Sequence, residues 1–366
     1  MFSDFDRFCM TRALKLAERG FETTHPNPRV GCVIARNGQI IAEGWHQQPG
    51  EPHAEINALR AANESVAGAT AYTTLEPCSH HGRTPPCTDA LIQARLSRVV
   101  FAVQDPNPQV SGAGATALRQ AGIQVESGLM EAEAIDLNVG FMKRMRQGLP
   151  WVRVKLAMSL DGRTALAGGA SRWITGEAAR LDVQSWRARS SAVLTGIGTI
   201  LADDPQLNVR IGAEDRRQPV RIVLDSKLRT PPAAQLFGSA GEVLVLTSAD
   251  ATAERAEALA ARGAQVEIIP GQRGMLDLAA VLARLGELEM NEVLVEAGSS
   301  LAGALLAQRL VDELLLYVAP KLLGPQARPL VLTPELSSLQ DAWSFSLIEN
   351  RVMGADLRLR LIALSA

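Results

Sequence analysis

The sequence predicts an α/β protein with two domains and two separate chemistries. With 366 residues, the chain is longer than a typical domain built around a single hydrophobic core. Strand-like and helix-like runs alternate along the chain, which is typical of helices packed on largely parallel sheets. All five histidines and all four cysteines lie within the first 87 positions. Imidazole and thiolate chemistry is therefore confined to the N-terminal third, and the remainder must work by other means.

Apolar spacing and turn residues predict the elements of the first domain. Apolar side chains recur at near-helical spacing over residues 4–19. Asn37-Gly38 predicts a tight turn between two strands. Residues 70–75 are β-branched and aromatic, which favours a strand. The remaining predicted elements are strands at 30–35, 39–45 and 98–103 and helices at 53–62, 88–95 and 131–146.

Gly148-Leu149-Pro150 interrupts the last of these helical runs. We therefore expect a domain boundary there, with domains at 1–147 and 148–366. Short apolar runs after it predict strands, and longer periodic runs between them predict helices, so the second domain is also α/β. The strands are expected at 152–158, 192–194, 220–224, 243–246, 265–269, 292–295 and 314–318, and the helices at 177–189, 252–262, 276–285 and 301–308.

The composition argues against several function classes. Hydrophobic residues make up 47% and charged residues 21%, as in ordinary folded proteins. The net charge of −2 provides no basic field, so we expect no nucleic-acid partner. The acidic N-terminus does not read as a signal peptide, and no stretch approaches the ~18–20 apolar residues of a membrane span. Scattered cysteines favour free thiols in a reducing, cytoplasmic setting.

One histidine and two cysteines indicate a zinc site in the first domain. His53 opens a predicted helix, Cys78 follows a strand, and Cys87 comes just before another helix. Three such ligands leave a fourth position for water, whose pKa zinc lowers toward neutrality. Glu55, on the first helical turn, is placed to move protons without being a ligand. The helix N-terminus should favour the thiolate of Cys87.

The order of these motifs matches the pattern of zinc-dependent base deaminases, His-x-Glu followed by Pro-Cys and a second Cys. The chain departs from that pattern, because the segment 79–86 separates the cysteines in place of the usual two residues. A closed zinc site, with His80 or His81 as fourth ligand, is an alternative, as are buried free thiols. Cys9 and Cys32 lie on apolar faces and are expected in the core.

Several motifs resemble the riboflavin-biosynthesis deaminase/reductase family in order from about residue 6 to about residue 363. They are HPNPRVG at 25–31, GEPHAE at 50–55, TLEPCSHHGRTPPC at 74–87, QDPNP at 104–108, SLDGRTA at 159–165, LADDP at 201–205 and PKLLG at 320–324. The resemblance implies a cytidine-deaminase-like three-layer sandwich followed by a dihydrofolate-reductase-like domain. It also implies a phosphoribosyl pyrimidine as the small-molecule substrate, and we expect a homo-oligomer.

For the first domain, the resemblance implies deamination of 2,5-diamino-6-(5-phosphoribosylamino)pyrimidin-4(3H)-one to the aminouracil. His53, Cys78 and Cys87 would bind zinc, and Glu55 would transfer protons. The residues implied to contact substrate are Asn27, His46, His80 and Arg83. An amide such as Asn27 can read a pyrimidine edge, and a guanidinium can pair with a phosphate. A solvated Arg83 on a loop tip is the alternative.

The second domain lacks His and Cys, which is compatible with hydride transfer by a bound nicotinamide. Its glycine-rich junctions, 196–199 and 296–303, lie between strands and helices, where phosphate binds well, although such junctions are often structural. The resemblance implies that NADPH contacts Ala157, Trp173, Thr199, Asp203, Ser226, Gly298, Ser299, Ser300, Leu301, Ala302, Gly303 and Ala304. It implies that Lys155, Ser171, Arg187, Leu207, Arg210 and Glu296 face the substrate of the reduction to the ribityl product. A surface ion pair for Arg187 and a core position for Trp173 are the alternatives.

Two other functions are weighed against this one. A nucleoside, nucleotide or tRNA-base deaminase predicts a two-residue spacing between the cysteines and, for tRNA, a basic face, and the sequence shows neither clearly. A zinc-stabilised binding protein predicts that Glu55→Gln changes nothing measurable.

Overall fold

The structure is a computed structural model that describes residues 1–79, 85–108, 111–212, 216–272 and 274–364. The chain forms two compact units, Met1–Gly148 and Leu149–Ala366. Each has its own sheet and core, so the α/β class predicted from the sequence is confirmed. Within the described ranges, no helix combines the length and apolarity needed to cross a bilayer.

The first unit is a five-stranded sheet between two helical layers. Its strands are β1 (Gly31–Arg36), β2 (Gln39–Trp45), β3 (Thr70–Leu75), β4 (Arg98–Val103) and β5 (Gln124–Ser127), in the order β2-β1-β3-β4-β5. Its helices are α1 (Asp4–Glu18), α2 (Ala54–Ala61), α3 (Cys87–Gln93), α4 (Ala113–Gln120), α5 (Glu131–Leu137) and α6 (Val139–Gln147). β1 is antiparallel to β2 and β3, and β3, β4 and β5 are parallel. The carboxyl ends of these parallel strands therefore share one edge of the sheet.

Local sequence explains most of this unit. Asn37 and Gly38 both have positive φ, 55° and 76°, as a two-residue hairpin turn requires. Cys9 and Cys32 are fully buried in the core, as expected.

The predicted helix at 131–146 is instead two helices, α5 and α6. They meet at Asn138, whose buried amide accepts a hydrogen bond from Arg29 N (2.8 Å) and donates one to Arg29 O (2.9 Å). This long-range pairing outweighs helical continuity. The sequence analysis did not predict α4 and β5, which are short.

The second unit contains a nine-stranded sheet in the order β11-β10-β9-β8-β14-β6-β15-β18-β17. The strands of this unit are β6 (Trp151–Ser159), β7 (Arg163–Ala165), β8 (Ala192–Gly196), β9 (Val220–Leu224), β10 (Val243–Thr247), β11 (Ala264–Ile268), β12 (Gly271–Gln272), β13 (Met275–Leu276), β14 (Glu292–Glu296), β15 (Glu313–Ala319), β16 (Arg328–Pro329), β17 (Phe345–Met353) and β18 (Asp356–Ala363). The helices are α7 (Glu177–Arg189), α8 (Ile197–Asp203), α9 (Ala253–Ala260), α10 (Leu278–Glu287) and α11 (Ser299–Ala307), with 3₁₀ turns at Gln235–Gly238 and Leu339–Asp341.

Seven strands of the large sheet, from β11 to β15, are parallel, whereas β18 and β17 add an antiparallel hairpin at one edge. Most of the parallel strands are buried and apolar, so their apolar runs predicted them, whereas β11 at the edge of the sheet is largely exposed or partly buried. The hairpin was not predicted, because most of β17 is exposed and charges interrupt its apolar residues. Residues 197–199, expected in a loop, begin α8, and α11 begins two residues earlier than expected.

Candidate active sites

The first unit brings His53, Cys78 and Cys87 together at the carboxyl end of β3. His53 is the N-cap of α2, Cys78 follows β3, and Cys87 begins α3. His53 Nδ1 lies 3.5 Å from Cys78 Sγ and 3.3 Å from Cys87 Sγ. The three ligand atoms lie within 4.8 Å of one another. One imidazole nitrogen and two sulfurs converging on one point fit zinc.

The two thiols divide their protons unequally. A hydrogen bond from Cys87 lowers the pKa of Cys78 to about 4, and the same bond, with burial, raises the pKa of Cys87 well above its usual range. The backbone N–H of Cys87 also donates to Cys78 Sγ at 3.4 Å. The expectation that the helix N-terminus favours the Cys87 thiolate concerns the zinc-bound site and stays a prediction. Zinc binding to both thiolates must release a proton.

Glu55 lies on the first turn of α2 and is buried, with 3% exposure. Burial raises the pKa of its carboxyl to about 7. Both protonation states are therefore populated near neutral pH, which is what a group that accepts and then returns a proton needs.

Asn27 and His46 lie beside the metal-ligand cluster. Asn27 Nδ2 lies 3.0 Å from His46 Nε2, and His46 Nδ1 lies 3.3 Å from Pro52 O. An amide N–H can only donate, so Nε2 accepts and Nδ1 carries the proton. Burial lowers the pKa of His46, which agrees with this neutral tautomer. The His46 and His53 rings meet edge to face at 5.4 Å. His80 and Arg83 lie outside the described residues.

Glu76, two residues before Cys78, was not among the predicted site residues. Its buried carboxylate accepts backbone N–H groups of Asp105 (3.3 Å), Gly112 (3.0 Å) and Ala115 (3.0 Å). It thereby fastens the segment before α4 to the segment that carries Cys78. The partners lie about thirty to forty positions away in the chain, so local sequence gave no signal for this role.

The second unit contains a buried ion-pair cluster at the carboxyl ends of β6 and β14. Arg187 Nε and Nη2 donate to the two carboxylate oxygens of Glu296, at 2.5 and 2.9 Å, and Nη1 donates to Asn208 O at 2.9 Å. Burial acts to raise the pKa of Glu296, but Arg187 and Lys155 prevail and lower it. Burial lowers the pKa of Lys155. Arg187 is only 8% exposed, so the alternative that it forms an ion pair on the protein surface is wrong.

Two further residues predicted to face substrate lie next to this cluster. Arg210 N donates to Gln184 Oε1 (2.9 Å), and burial and the nearby Arg187 lower the pKa of the Arg210 guanidinium. Leu207 is buried and has a positive φ of 54°.

Three of the residues predicted to contact the cofactor follow the carboxyl ends of parallel strands. Thr199 follows β8, Ser226 follows β9 and Gly298 follows β14. A Cβ added at Gly298 would have no atom within 4 Å, so the backbone is open where α11 begins. An open glycine before a helix N-terminus at the carboxyl edge of a parallel sheet fits a dinucleotide phosphate.

Other predicted residues have mixed surroundings. Trp173 is 63% exposed, so the alternative that it is a core residue is wrong. The guanidinium of Arg180 stacks over its ring, 4.6 Å from the ring centre. Asp203 O accepts from Arg172 Nη2 at 2.7 Å. Partly buried positions are Ala157, Ser171, Ser299, Leu301 and Ala304, whereas Ser300 is exposed. Ala302 is fully buried, and a Cβ added at Gly303 would lie 1.9 Å from Leu332 O. Direct cofactor contact by these residues stays a prediction.

Both units match known families. Residues 3–103 match the model described as the cytidine and deoxycytidylate deaminase zinc-binding region. Residues 150–357, more than half of the chain, match the model of the RibD C-terminal domain. The chain belongs to the RibD family.

Relatives over the full length agree with this assignment. The riboflavin biosynthesis protein RibD of Escherichia coli K12 is 52% identical, covering 98% of this chain and 99% of that one. RibD of Acinetobacter baumannii superposes with a TM-score of 0.91 at 45% identity, over 99% of each chain. A diaminohydroxyphosphoribosylaminopyrimidine deaminase/5-amino-6-(5-phosphoribosylamino)uracil reductase from Thermotoga maritima superposes with a TM-score of 0.87 at 33% identity, over 98% and 99% of the chains.

Proposed function

We propose that this chain catalyses two successive reactions of riboflavin biosynthesis. The first unit hydrolyses the cyclic amidine of 2,5-diamino-6-(5-phosphoribosylamino)pyrimidin-4(3H)-one, releasing its exocyclic amino group as ammonia and giving 5-amino-6-(5-phosphoribosylamino)uracil. The second reduces the ribosyl group to ribityl, giving 5-amino-6-(5-phosphoribitylamino)uracil. The observation that carries the proposal is the convergence of His53, Cys78 and Cys87 beside the buried carboxyl of Glu55. Membership of the RibD family supports both halves.

In the deaminase unit, His53 Nδ1 and the Cys78 and Cys87 sulfurs would hold zinc. When bound, zinc supplies a nucleophile at neutral pH by lowering the pKa of a coordinated water. Glu55 accepts a proton from the attacking water and delivers it to the pyrimidine ring nitrogen. It then takes the remaining proton of the added hydroxyl and passes it to the amine, so that ammonia leaves as the carbonyl forms. With a pKa of about 7, the carboxyl can both take up and release a proton at neutral pH.

Substrate recognition uses the polar groups beside the zinc ligands. His46 accepts from Asn27 and so fixes the orientation of the Asn27 amide. We assign Asn27 to the pyrimidine edge, since one amide offers both a donor and an acceptor. Arg83 and His80 are assigned to the phosphoribosyl side.

In the reductase unit, NADPH would lie along the glycine-rich edge near Thr199, Ser226 and Gly298, and it supplies the hydride. Arg187 and Arg210 provide positive charge for the substrate phosphate. Glu296 holds Arg187 in place with two hydrogen bonds. Lys155 has a lowered pKa, which makes its ammonium a better acid for protonating the oxygen released when the ribose ring opens.

We further infer that the enzyme works in a reducing cytoplasm and as a homo-oligomer. All four cysteines are free thiols, and zinc binding requires two of them to stay reduced. β17 forms a sheet edge with Leu347 and Val352 at 53% and 72% exposure. Such an edge is normally covered, here by a second copy. Light scattering that gives the monomer mass at assay concentration would contradict the oligomer.

The proposed function is tested with purified full-length protein, zinc, NADPH and the phosphoribosyl diaminopyrimidine. We expect ammonia release, NADPH oxidation and formation of the ribitylaminouracil phosphate. Ammonia release without NADPH oxidation would refute the reductase half. Faster turnover of cytidine, dCMP or a tRNA anticodon stem would refute the substrate assignment.

A further inference from the structure

The hairpin formed by β17 and β18 contacts the helix that carries part of the proposed reductase site. The side chains of Asp356 and Arg358 lie two positions apart on β18, so they point to the same face of the strand. Both are buried, and both bind groups of α7 or of its N-cap. The contacts lie entirely within the second unit.

The first contact is at the start of α7. Gly176, the N-cap residue, has no side chain with which to satisfy the first N–H groups of the helix. Asp356 Oδ2 accepts the Gly176 N–H at 2.6 Å and places negative charge at the positive end of the helix. The hairpin turn also packs closely here, since a Cβ added at Gly354 would lie 3.3 Å from Ala178 Cβ.

The second contact is one to two turns further along. Arg358 Nη1 donates to both carboxylate oxygens of Asp182 at 2.9 Å. Tyr317 Oη donates to the same carboxylate at 2.5 Å, and the buried Tyr317 ring lies 6.0 Å from Lys155 Nζ. The hairpin, α7 and Tyr317 of β15 are therefore joined by direct hydrogen bonds, and the Tyr317 ring faces Lys155.

The helix held in this way carries residues on both sides of the proposed site. Arg187, on its last turn, pairs with Glu296, and Gln184 accepts the backbone N–H of Arg210. The segment that leads into Gly176 carries Ser171 and Trp173. A shift of the first turn of α7 would thus displace the segment assigned to substrate and cofactor, while Glu296 still anchors the last turn.

We propose that Asp356 is a positioning residue of the reductase, which holds the N-terminus of α7 and thereby sets the place of the 171–176 segment. It touches neither substrate nor cofactor in this assignment. The kinetic test of this inference rests on the proposed reductase function. Its structural test rests only on the hydrogen bond between Asp356 and Gly176.

The test compares Asp356→Ala, Asp356→Asn and the control Glu257→Ala in the full-length protein. Glu257 is exposed on α9 of the same unit and away from the hairpin, so its variant should behave as wild type. Asp356→Ala should raise the reductase KM about tenfold, since it removes one hydrogen bond to a charged acceptor. The deaminase rate, measured on the same chain, should stay unchanged. Asp356→Asn keeps a neutral acceptor and should recover part of the loss.

Hydrogen exchange of residues 171–180 gives a readout that is independent of activity. Asp356→Ala should speed exchange in this segment about tenfold and leave β14 protected. A folded Asp356→Ala protein with reductase KM and exchange both within twofold of wild type would overturn the proposal. If that variant does not fold, unchanged KM and exchange in Asp356→Asn would overturn it. If wild type itself fails to oxidise NADPH, the proposed function falls, and the exchange result alone decides the anchoring role of Asp356.

Discussion

Replacing Glu55 by glutamine should abolish deamination and at the same time stabilise the metal-free first unit. The carboxyl is buried, and its pKa is raised from 4.5 to about 7. At roughly 1.36 kcal/mol per pKa unit, ionising it in the fold costs about 3 kcal/mol. Because the folded-state pKa lies above the unfolded one, the stability of wild type relative to the variant is fully present below pH 4.5 and is lost as pH rises through about 7.

Glutamine is neutral and nearly isosteric, so it avoids this cost. Urea denaturation of chelator-treated protein should show the variant more stable by about 3 kcal/mol at pH 8 and by less than about 1 kcal/mol at pH 5. With zinc present, ammonia release should fall by roughly 10²–10⁴-fold, the usual contribution of a general acid–base group. NADPH oxidation on the aminouracil substrate should be unaffected.

Glu133→Gln is the matched control, because Glu133 is exposed on α5. It should change neither stability nor either activity. A Glu55→Gln enzyme that still deaminates at a tenth of the wild-type rate or faster would refute the proton-transfer role. A stability difference that is the same at pH 5 and pH 8 would refute the raised pKa.

Four further predictions concern the metal and the second unit. Cys78→Ser should lower the zinc content of the protein, measured by atomic emission, and should remove deamination while NADPH oxidation persists. Retention of a full zinc equivalent would contradict the assignment of Cys78 as a ligand. Glu296→Gln should cost about 3–5 kcal/mol of stability in the second unit, because it leaves the Arg187 charge buried and unpaired; Glu254→Gln, exposed on α9, is its control in the same denaturation experiment. Gly303→Ala should destabilise that unit by about 1–3 kcal/mol, since the new Cβ would lie 1.9 Å from Leu332 O. Gly298→Ala should fold normally and raise the KM for NADPH, and an unchanged KM would argue against cofactor phosphate at this junction.

Residue types and their order, matched to the known pattern of zinc-dependent base deaminases, were enough to predict the metal cluster. His53, Cys78 and Cys87 come together because each lies at the end of an element whose limits are encoded locally, by a buried strand or a helix start. The proton distribution between the two cysteines could not be predicted in this way. It depends on a hydrogen bond across the cluster, which only the folded arrangement supplies.

Long-range pairing limited the fold prediction as well. The buried parallel strands of the second unit are apolar runs, and periodicity found them. The break at Asn138 depends on its hydrogen bonds to Arg29, more than a hundred positions earlier. In the same way, the roles of Glu76 and Asp356 exist only through backbone groups that folding brings to them.

A coupled assay with zinc and NADPH withheld in turn tests the central claim, that one chain carries two separable reactions. Chelation should stop ammonia release from the diaminopyrimidine while the aminouracil substrate still drives NADPH oxidation. Omitting NADPH should leave ammonia release intact and let 5-amino-6-(5-phosphoribosylamino)uracil accumulate. Loss of both activities when either component is withheld would contradict the account.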